Sequence, residues 1–263
     1  PIHLVSLPIT TQKSFVYCIH DQEKTIDTSS PFTRVLSRLL GLGAKGWQKL
    51  CDSDLAINKK TVQYMKQLLH KIPYNEGSLR SIPSQALLKR TLQKDSAKDH
   101  LDEDSHKVLT ALQIQSLPSE ITANMADHFI NLVDSLLSTD QMHLRKIVLC
   151  ALGAPFTIPF GLIPVLPNIP LFWLMFRAWC HFEAFQGVRH LRFLKGTSKE
   201  ESHLEVVKFD KLDECYHNGG ANIEKFDGSE KVVLNERIIK ELAEKLHAPK
   251  LEELLKVALA QEK

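Results

Sequence analysis

An uncharged stretch of 30 residues, from Ile147 to Phe176, most strongly limits what this chain can fold into. Water-soluble helices seldom bury such a length without a polar face. One membrane-spanning helix needs about 20 residues, and two complete spans need roughly 40. The stretch is therefore too long for one span and too short for two. It also contains five prolines: Pro155, Pro159, Pro164, Pro167 and Pro170.

The charges on both sides of the uncharged stretch predict its topology. The basic residues that flank it are Arg145, Lys146, Arg177, Arg189, Arg192 and Lys195. Basic residues mark the side of a membrane that is not translocated, so both ends are expected on one side. This favours a helical hairpin that enters the membrane and returns, with its tip at "LPNIP" (residues 166–170). A buried helical hairpin in a water-soluble protein is the alternative.

The prolines point to a specialised environment for this hairpin. Each internal proline removes a backbone donor and frees the carbonyl four residues before it. In hydrocarbon, a free carbonyl costs several kcal/mol unless protein or water satisfies it. Broken helices of this kind often surround ion or proton sites in transporters. All five prolines are therefore candidates for lining an ion path.

Three ionisable residues lie nearest the uncharged core: Arg177, His181 and Glu183. Arg177 and His181 are four residues apart and share a helix face, as do Glu183 and His190, seven apart. A histidine here can titrate near physiological pH and pass protons, which makes these residues candidates for a proton-linked site. The alternative is that they anchor the helix end at the lipid headgroups.

The rest of the chain predicts a mainly α-helical protein. Short β-branched and aromatic runs predict a β-hairpin over residues 1–20, followed by a helical region at 28–95. Residues 96–117 form a predicted polar loop, residues 118–196 an amphipathic helix plus the proline-rich membrane hairpin, and residues 197–263 a soluble, acidic helical tail. The first helix is expected to begin with Pro31 after a Ser30 cap.

The first predicted helix is amphipathic, and its polar face is basic. Its cations are Arg34, Arg38, Lys45 and Lys49. Such a helix is typical of one that lies on an anionic membrane. A helix that packs into a core and happens to have a basic polar face is the alternative.

Several function classes are disfavoured. The net charge of +2 indicates no nucleic-acid partner. The chain has no glycine-rich phosphate loop, no G-x-S-x-G and no H-E-x-x-H, so we expect no enzyme, no catalytic residues and no cofactor. Five cysteines without a C-x-x-C argue against a disulfide framework or a zinc site, and no other metal motif is present.

Three stretches together resemble a known family. They are "VSLPITTQKSFVYC", "KIPYNEGSLRSIPS" and "TIPFGLIPVLPNIPLFWLMFRAWCHFEAFQG". They are similar to the fungal mitochondrial potassium–proton exchange-related family over most of residues 1–195, and "IPFGLIPVLPNIP" is more loosely similar to the membrane segment of LETM-type exchangers. The resemblance implies a mitochondrial inner-membrane protein that takes part in exchanging potassium for protons.

Two functions follow from the resemblance and the hairpin together. The first is a component of potassium–proton exchange, with potassium, protons and anionic inner-membrane lipid as partners. One hairpin does not enclose a path by itself, which favours a homo-oligomer or a subunit of a membrane complex. The second is a membrane-anchored interaction or assembly factor without transport activity of its own.

Overall fold

The computed structural model describes residues 2–19, 31–84, 112–116, 125–157, 159, 168–196, 204–208, 210–221 and 230–263. The chain divides into two compact units. Unit 1 comprises residues 1–22, 73–140 and 186–263, and unit 2 comprises residues 23–72 and 141–185. The described helices are α1 (Pro31–Cys51), α2 (Ala56–His70), α3 (Tyr74–Ser81), α4 (Met125–Leu137), α5 (Asp140–Thr157), α6 (Ile169–Lys195), α7 (Asp210–Asn218), α8 (Glu236–Lys245) and α9 (Pro249–Glu262).

A four-stranded mixed sheet lies in unit 1. Its strands are β1 (Ile2–Pro8), β2 (Ser14–Ile19), β3 (Leu112–Ser116) and β4 (Leu204–Lys208), in the order β2-β1-β3-β4. β1 and β2 form an antiparallel hairpin, whereas β1–β3 and β3–β4 are parallel. The mainly helical class and the N-terminal β-hairpin are therefore confirmed.

Two strands differ from what the sequence pattern predicts. β3 lies at the end of the segment predicted as a polar loop, and β4 lies in the tail predicted to be helical. Each strand is five residues long, which is too short for alternation to be distinctive. Their backbone partners come from distant parts of the chain, and parallel strands need long connections. The rest of the predicted loop, residues 96–111 and 117, lies outside the described residues.

The C-terminal segment supplies much of the core of unit 1. Ile238 and Leu242 of α8 and Leu251 and Leu255 of α9 are fully buried in one cluster with residues of the β-hairpin. Asn235 caps α8 by accepting a hydrogen bond from the Ile238 N–H at 2.9 Å. Amphipathic helices of this length need such a partner surface, because helix propensity alone holds them only marginally.

Tyr216 of α7 joins the hairpin to this core. Its side chain is fully buried, and its hydroxyl donates to the carbonyl oxygen of Pro8 at 2.9 Å. Burial raises the pKa of Tyr216 well above its ordinary value, so the hydroxyl keeps the proton that it donates.

Unit 2 is built from α1, α2, nearly all of α5 and the first part of α6. Pro31 is the first residue of α1, as a proline at the first helical position predicts. Across the part of the chain that is described, no helix combines the length and the apolar character required to span a membrane.

Candidate functional site

A row of polar side chains lies between α5 and α6 in unit 2. On α5 these residues are spaced by seven, so they share one face of the helix. They meet polar residues of α6 and of its N-cap in reverse order, as two antiparallel helices require. We call this row the polar seam; it consists of His143, Cys150, Thr157, Asn168, Arg177 and His181.

A pair of histidines forms the end of the polar seam that is farthest from the turn between α5 and α6. The Nδ1 atoms of His143 and His181 are 3.1 Å apart, and the side chains are only 2% and 3% exposed. Their ring centroids are 5.3 Å apart with a tilt of 45°. Arg177, one turn before His181, places its Nη2 at 3.1 Å from the Nε2 of His181. A guanidinium, an imidazole and a second imidazole thus follow one another.

The hydrogen-bond pattern assigns the tautomers of the two rings. A guanidinium can only donate, so the Nε2 of His181 accepts from Arg177. The proton of neutral His181 is then on Nδ1, which donates to the Nδ1 of His143. A second proton on either ring would place two donors against each other at one of these contacts. Proton uptake is therefore coupled to the contact between α5 and α6.

Cys150 lies along the seam within electrostatic range of Arg177. Among the described residues, no three His, Cys, Asp or Glu side chains are grouped so that they could hold a metal ion. The two imidazoles of the seam offer hydrogen bonding and proton transfer beside the positive charge of Arg177.

Asn168 closes the seam where the two helices turn. Its Oδ1 accepts from the Leu171 N–H at 3.1 Å and so caps the start of α6. Its Nδ2 donates to the carbonyl oxygen of Thr157, the last residue of α5, at 2.6 Å. The Thr157 hydroxyl in turn donates to the carbonyl oxygen of Ala154 at 2.7 Å. Side chains thus satisfy carbonyls at the end of a proline-containing helix, where helical partners are lacking.

Replacing Asn168 tests this double cap. Asn168→Ala removes the cap of α6 and the donor to Thr157, and we expect it to lower the free energy of unfolding by roughly 2 kcal/mol. Asn168→Asp keeps the capping oxygen and adds a negative charge that the helix N-terminus favours. It should cost about half as much, measured by hydrogen exchange of amides in α5 and the first part of α6. Equal stability of the alanine variant and the wild type would contradict the assigned role.

The three prolines of the uncharged stretch that the structure describes, Pro155, Pro159 and Pro170, are all exposed. Pro155 lies inside α5, and because it has no N–H, the carbonyl of Ala151 lacks its usual helical donor. Pro159 is exposed between the helices, and Pro170 is exposed in the first turn of α6. Pro164 and Pro167 lie outside the described residues. A role of these prolines in an ion path stays a prediction.

The basic residues predicted to face a membrane surface fall into two groups. Those on α1 are all exposed: Arg34, Arg38, Lys45 and Lys49. Around the hairpin, Arg145 and Arg189 are exposed and Lys146 is half-buried. Arg192 donates to Asp140 at 2.6 Å, and Lys195 pairs with Asp134. Those two charges are partly neutralised within unit 1, while the others remain predicted lipid contacts.

The sequence pattern identified only part of the polar seam. Arg177 and His181 were predicted as proton-linked residues, and the structure brings them together. Glu183 is half-buried two residues further along α6. The pattern missed His143, Cys150, Thr157 and Asn168. The available signal was the seven-residue spacing of His143, Cys150 and Thr157, which is hard to see because His143 precedes the uncharged stretch.

Comparison with known proteins assigns the chain to a family. The model of the family described as mitochondrial K+–H+ exchange-related matches residues 3–195. The chain belongs to this family. The match ends at the last residue of α6 and includes the whole polar seam. The family name implies a mitochondrial location and a relation to potassium–proton exchange.

Two fungal relatives extend the similarity. An uncharacterized protein of Saccharomyces cerevisiae is 29% identical over 274 aligned residues, covering 100% of this chain and 85% of the relative. An uncharacterized protein of Schizosaccharomyces pombe is 28% identical over 222 residues, covering 84% of this chain and 86% of the relative. No solved structure matches the chain.

The outer face of α5, opposite the seam, is apolar and exposed. Leu149, Leu152 and Phe156 are 66%, 64% and 79% exposed, and their spacing of three and four residues places them on one side of the helix. Leu144 and Val148 continue this surface toward the N-terminal end of α5. We call these five residues the apolar face. A contiguous exposed surface of this kind marks a contact with a membrane or another protein.

Proposed function

We propose that this chain is a mitochondrial inner-membrane protein that contributes to potassium–proton exchange, and so to matrix cation and volume homeostasis, as a subunit of a larger assembly. The observation that carries the proposal is a helix whose outer face is apolar and whose inner face holds a buried polar seam. The family description indicates which ions are involved. The apolar face of α5 offers a means of attachment to the membrane. Its opposite face offers a site for protons in the polar seam.

The apolar face favours insertion into lipid. Burying Leu149, Leu152 and Phe156 is worth roughly 5 kcal/mol, since a fully buried large apolar side chain contributes about 1.5–3 kcal/mol and these are already partly covered. A basic residue near an anionic surface adds about 1 kcal/mol, so Arg145 and Lys146 contribute less than the apolar side chains do. Attachment should therefore resist high salt.

The polar seam suits protons better than potassium. His143 and His181 can accept and pass a proton. The guanidinium of Arg177, however, carries a fixed positive charge that repels a second cation. Potassium is usually held by rings of oxygen atoms, in particular backbone carbonyls. We infer that the hairpin provides a proton-linked element, and that the path for potassium is completed by further copies of the chain or by another subunit.

Reversing the character of the apolar face tests attachment. Leu152→Glu combined with Phe156→Glu should move most of the protein from the membrane pellet to the supernatant after alkaline carbonate extraction of mitochondria. Val232→Glu is the matched control, because Val232 is an exposed apolar residue of unit 1; it should stay in the pellet with the wild type. Release of the wild-type chain by carbonate would overturn membrane insertion.

The same strains test the link to exchange. Mitochondria that lack the chain should swell slowly in potassium acetate, and the wild-type chain should restore swelling while the double glutamate variant should not. A potassium–proton ionophore should restore swelling in every strain, which shows that the organelles are intact. Normal swelling without the chain would overturn a role in exchange. The chain would then be a membrane-anchored assembly factor.

A further inference from the structure

An apolar pocket opens between α1, α2 and α6 within unit 2. Its volume is about 270 Å³, and it is partly open to the outside. Every described residue that lines it is hydrophobic, alanine or glycine. The lining includes Gly46 and Trp47 from α1, Met65 and Leu69 from α2, and Phe172 and Trp173 from α6.

Part of this pocket is open because Gly46 of α1 has no side chain to fill it. A Cβ atom added at Gly46 would meet nothing within 4 Å, although Gly46 lines the pocket. At Gly43, one turn earlier, an added Cβ would lie only 3.2 Å from the Phe172 ring. The helix is therefore closely packed against α6 at Gly43 and faces free space at Gly46.

The size of the pocket limits its ligand. An apolar cavity of about 150 Å³ is already large enough to bind benzene. Pockets that take whole small molecules usually have about 300–1,000 Å³. With a volume of about 270 Å³, the pocket lies just below this range, and none of the described lining residues carries a charge that could orient a polar molecule. It fits one apolar segment of a larger ligand, such as part of an acyl chain.

The charges around the pocket indicate the rest of the ligand. α1 and α2 contain no acidic residue. Their cations are all exposed: Arg34, Arg38, Lys45, Lys49, Lys59, Lys60 and Lys66. Lys45 and Lys49 directly adjoin the lining residues Gly46 and Leu50 in sequence. An apolar pocket bordered by lysines complements an amphiphile with a hydrocarbon chain and a negative headgroup.

We propose that this pocket binds an acyl chain of a single anionic phospholipid, whose headgroup is held by Lys45 and Lys49. The site is separate from the apolar face and from the polar seam. It does not depend on a role of the chain in potassium–proton exchange, and it can be tested on the purified protein.

Tryptophan fluorescence reports directly on the occupant. Two of the three tryptophans, Trp47 and Trp173, line the pocket, whereas Trp179 is not among the lining residues and makes a tilted ring contact with Phe182. Phosphatidylglycerol with brominated acyl chains, added to the full chain in detergent, should quench their fluorescence and saturate at one lipid per chain. Brominated phosphatidylcholine should need at least a fivefold higher concentration. So should a brominated free fatty acid, which brings a single chain and a smaller headgroup.

Two leucine variants of α1 distinguish lipid binding in the pocket from nonspecific contact with lipid. Gly46→Leu places an apolar side chain in the pocket at a position with free space for its Cβ, and it should weaken quenching by brominated phosphatidylglycerol at least fivefold. Gly41→Leu is the matched control, since Gly41 is exposed, does not line the pocket, and has free space for a Cβ. It should bind as the wild type does. Both replace a helical glycine, so both should fold.

Charge reversal tests the headgroup contact. Lys45→Glu combined with Lys49→Glu should abolish the preference for phosphatidylglycerol over phosphatidylcholine. Equal quenching in the Gly46→Leu and Gly41→Leu variants would overturn the site, as would quenching that rises without saturation. Equal binding of the two phospholipids to the wild type, or equally tight binding of the free fatty acid, would overturn the assignment of an anionic phospholipid. A pocket that takes up no lipid and instead accepts a side chain of a partner protein would overturn it as well.

Discussion

Gly187→Ala should destabilise unit 1 by about 3 kcal/mol or more, although alanine is the better helix former by about 1 kcal/mol. Gly187 lies in α6, where a Cβ atom would be 2.1 Å from the carbonyl oxygen of Leu79 in α3 and 3.6 Å from the Cβ of Ile82. The obstacle is backbone, which does not move as a flexible side chain does. Relief would require α3 and α6 to separate and would open the core between them.

Gly41→Ala is the control, and we expect it to raise the free energy of unfolding rather than to lower it. Gly41 is also helical, but a Cβ there would meet nothing within 4 Å. Alanine should stabilise this position by about 0.5–1 kcal/mol, because it reduces the freedom of the unfolded chain. Because the chain has two units, unfolding should be followed by hydrogen exchange of amides in α3 and α1 separately rather than by one melting curve. A neutral or stabilising Gly187→Ala would contradict the close approach of the two helices.

Gly187 also shows what the sequence pattern could not reveal. Within "HFEAFQGVRHLRF" it looks like a weak position in an otherwise good helix. The reason for a glycine is the carbonyl of Leu79, more than 100 residues earlier in the chain. The same limit explains β3 and β4, whose pairing partners are remote. The β-hairpin was predictable because its two strands are adjacent and joined by a short polar turn.

His190, close to Gly187 on α6, shows the same dependence on tertiary contacts. Its Nδ1 donates to the carbonyl oxygen of Pro83 at 2.6 Å, and its side chain is almost fully buried. Burial lowers the pKa of His190, and the hydrogen bond to Pro83 opposes that effect only in part. The sequence pattern suggested a shared face with Glu183, whereas the structure gives His190 a backbone partner in unit 1. It is therefore a neutral structural histidine.

The sequence pattern likewise reveals some residues of the polar seam and not others. The pair Arg177 and His181 was visible because both residues lie one turn apart on one predicted helix. The role of His143 was not visible in the sequence, because its contact with His181 depends on how α5 and α6 pack against each other across the turn. The sequence pattern places Asn168 only in the predicted tip of the helical hairpin. Its two hydrogen bonds show that it ends one helix and begins the other. Local periodicity thus predicts helices, but the contacts between them come from packing.

Replacing His181 in two ways should separate a proton-linked role from a structural one. A glutamine amide has an oxygen that can accept from Arg177 and an N–H that can donate to His143, so His181→Gln keeps the assigned hydrogen-bond pattern. It cannot gain a charge. Protein abundance in mitochondria should therefore stay near the wild-type level. The pH dependence of swelling in potassium acetate should flatten, because a glutamine amide takes up no proton.

His181→Leu should give the opposite combination. It removes both hydrogen bonds of His181, including the N–H that donates to the Nδ1 of buried His143. Loss of that donor should lower the free energy of unfolding by about 1–3 kcal/mol. Abundance should fall, and swelling should fall with it at every pH. In the double variant His143→Leu and His181→Leu, part of the lost stability should return, because no imidazole is left without its partner. That recovery would show that the two rings act on stability as a pair.

The comparison of glutamine with leucine decides between the two roles. If the seam passes protons, His181→Gln changes the pH profile at normal abundance, and the double leucine variant stays inactive in exchange even where its abundance recovers. If the seam only joins α5 to α6, exchange follows abundance in all three variants and the pH profile stays that of the wild type. Arg177, which contacts His181, is retained in every variant. A changed profile in His181→Gln therefore reflects the imidazole rather than a lost charge beside it.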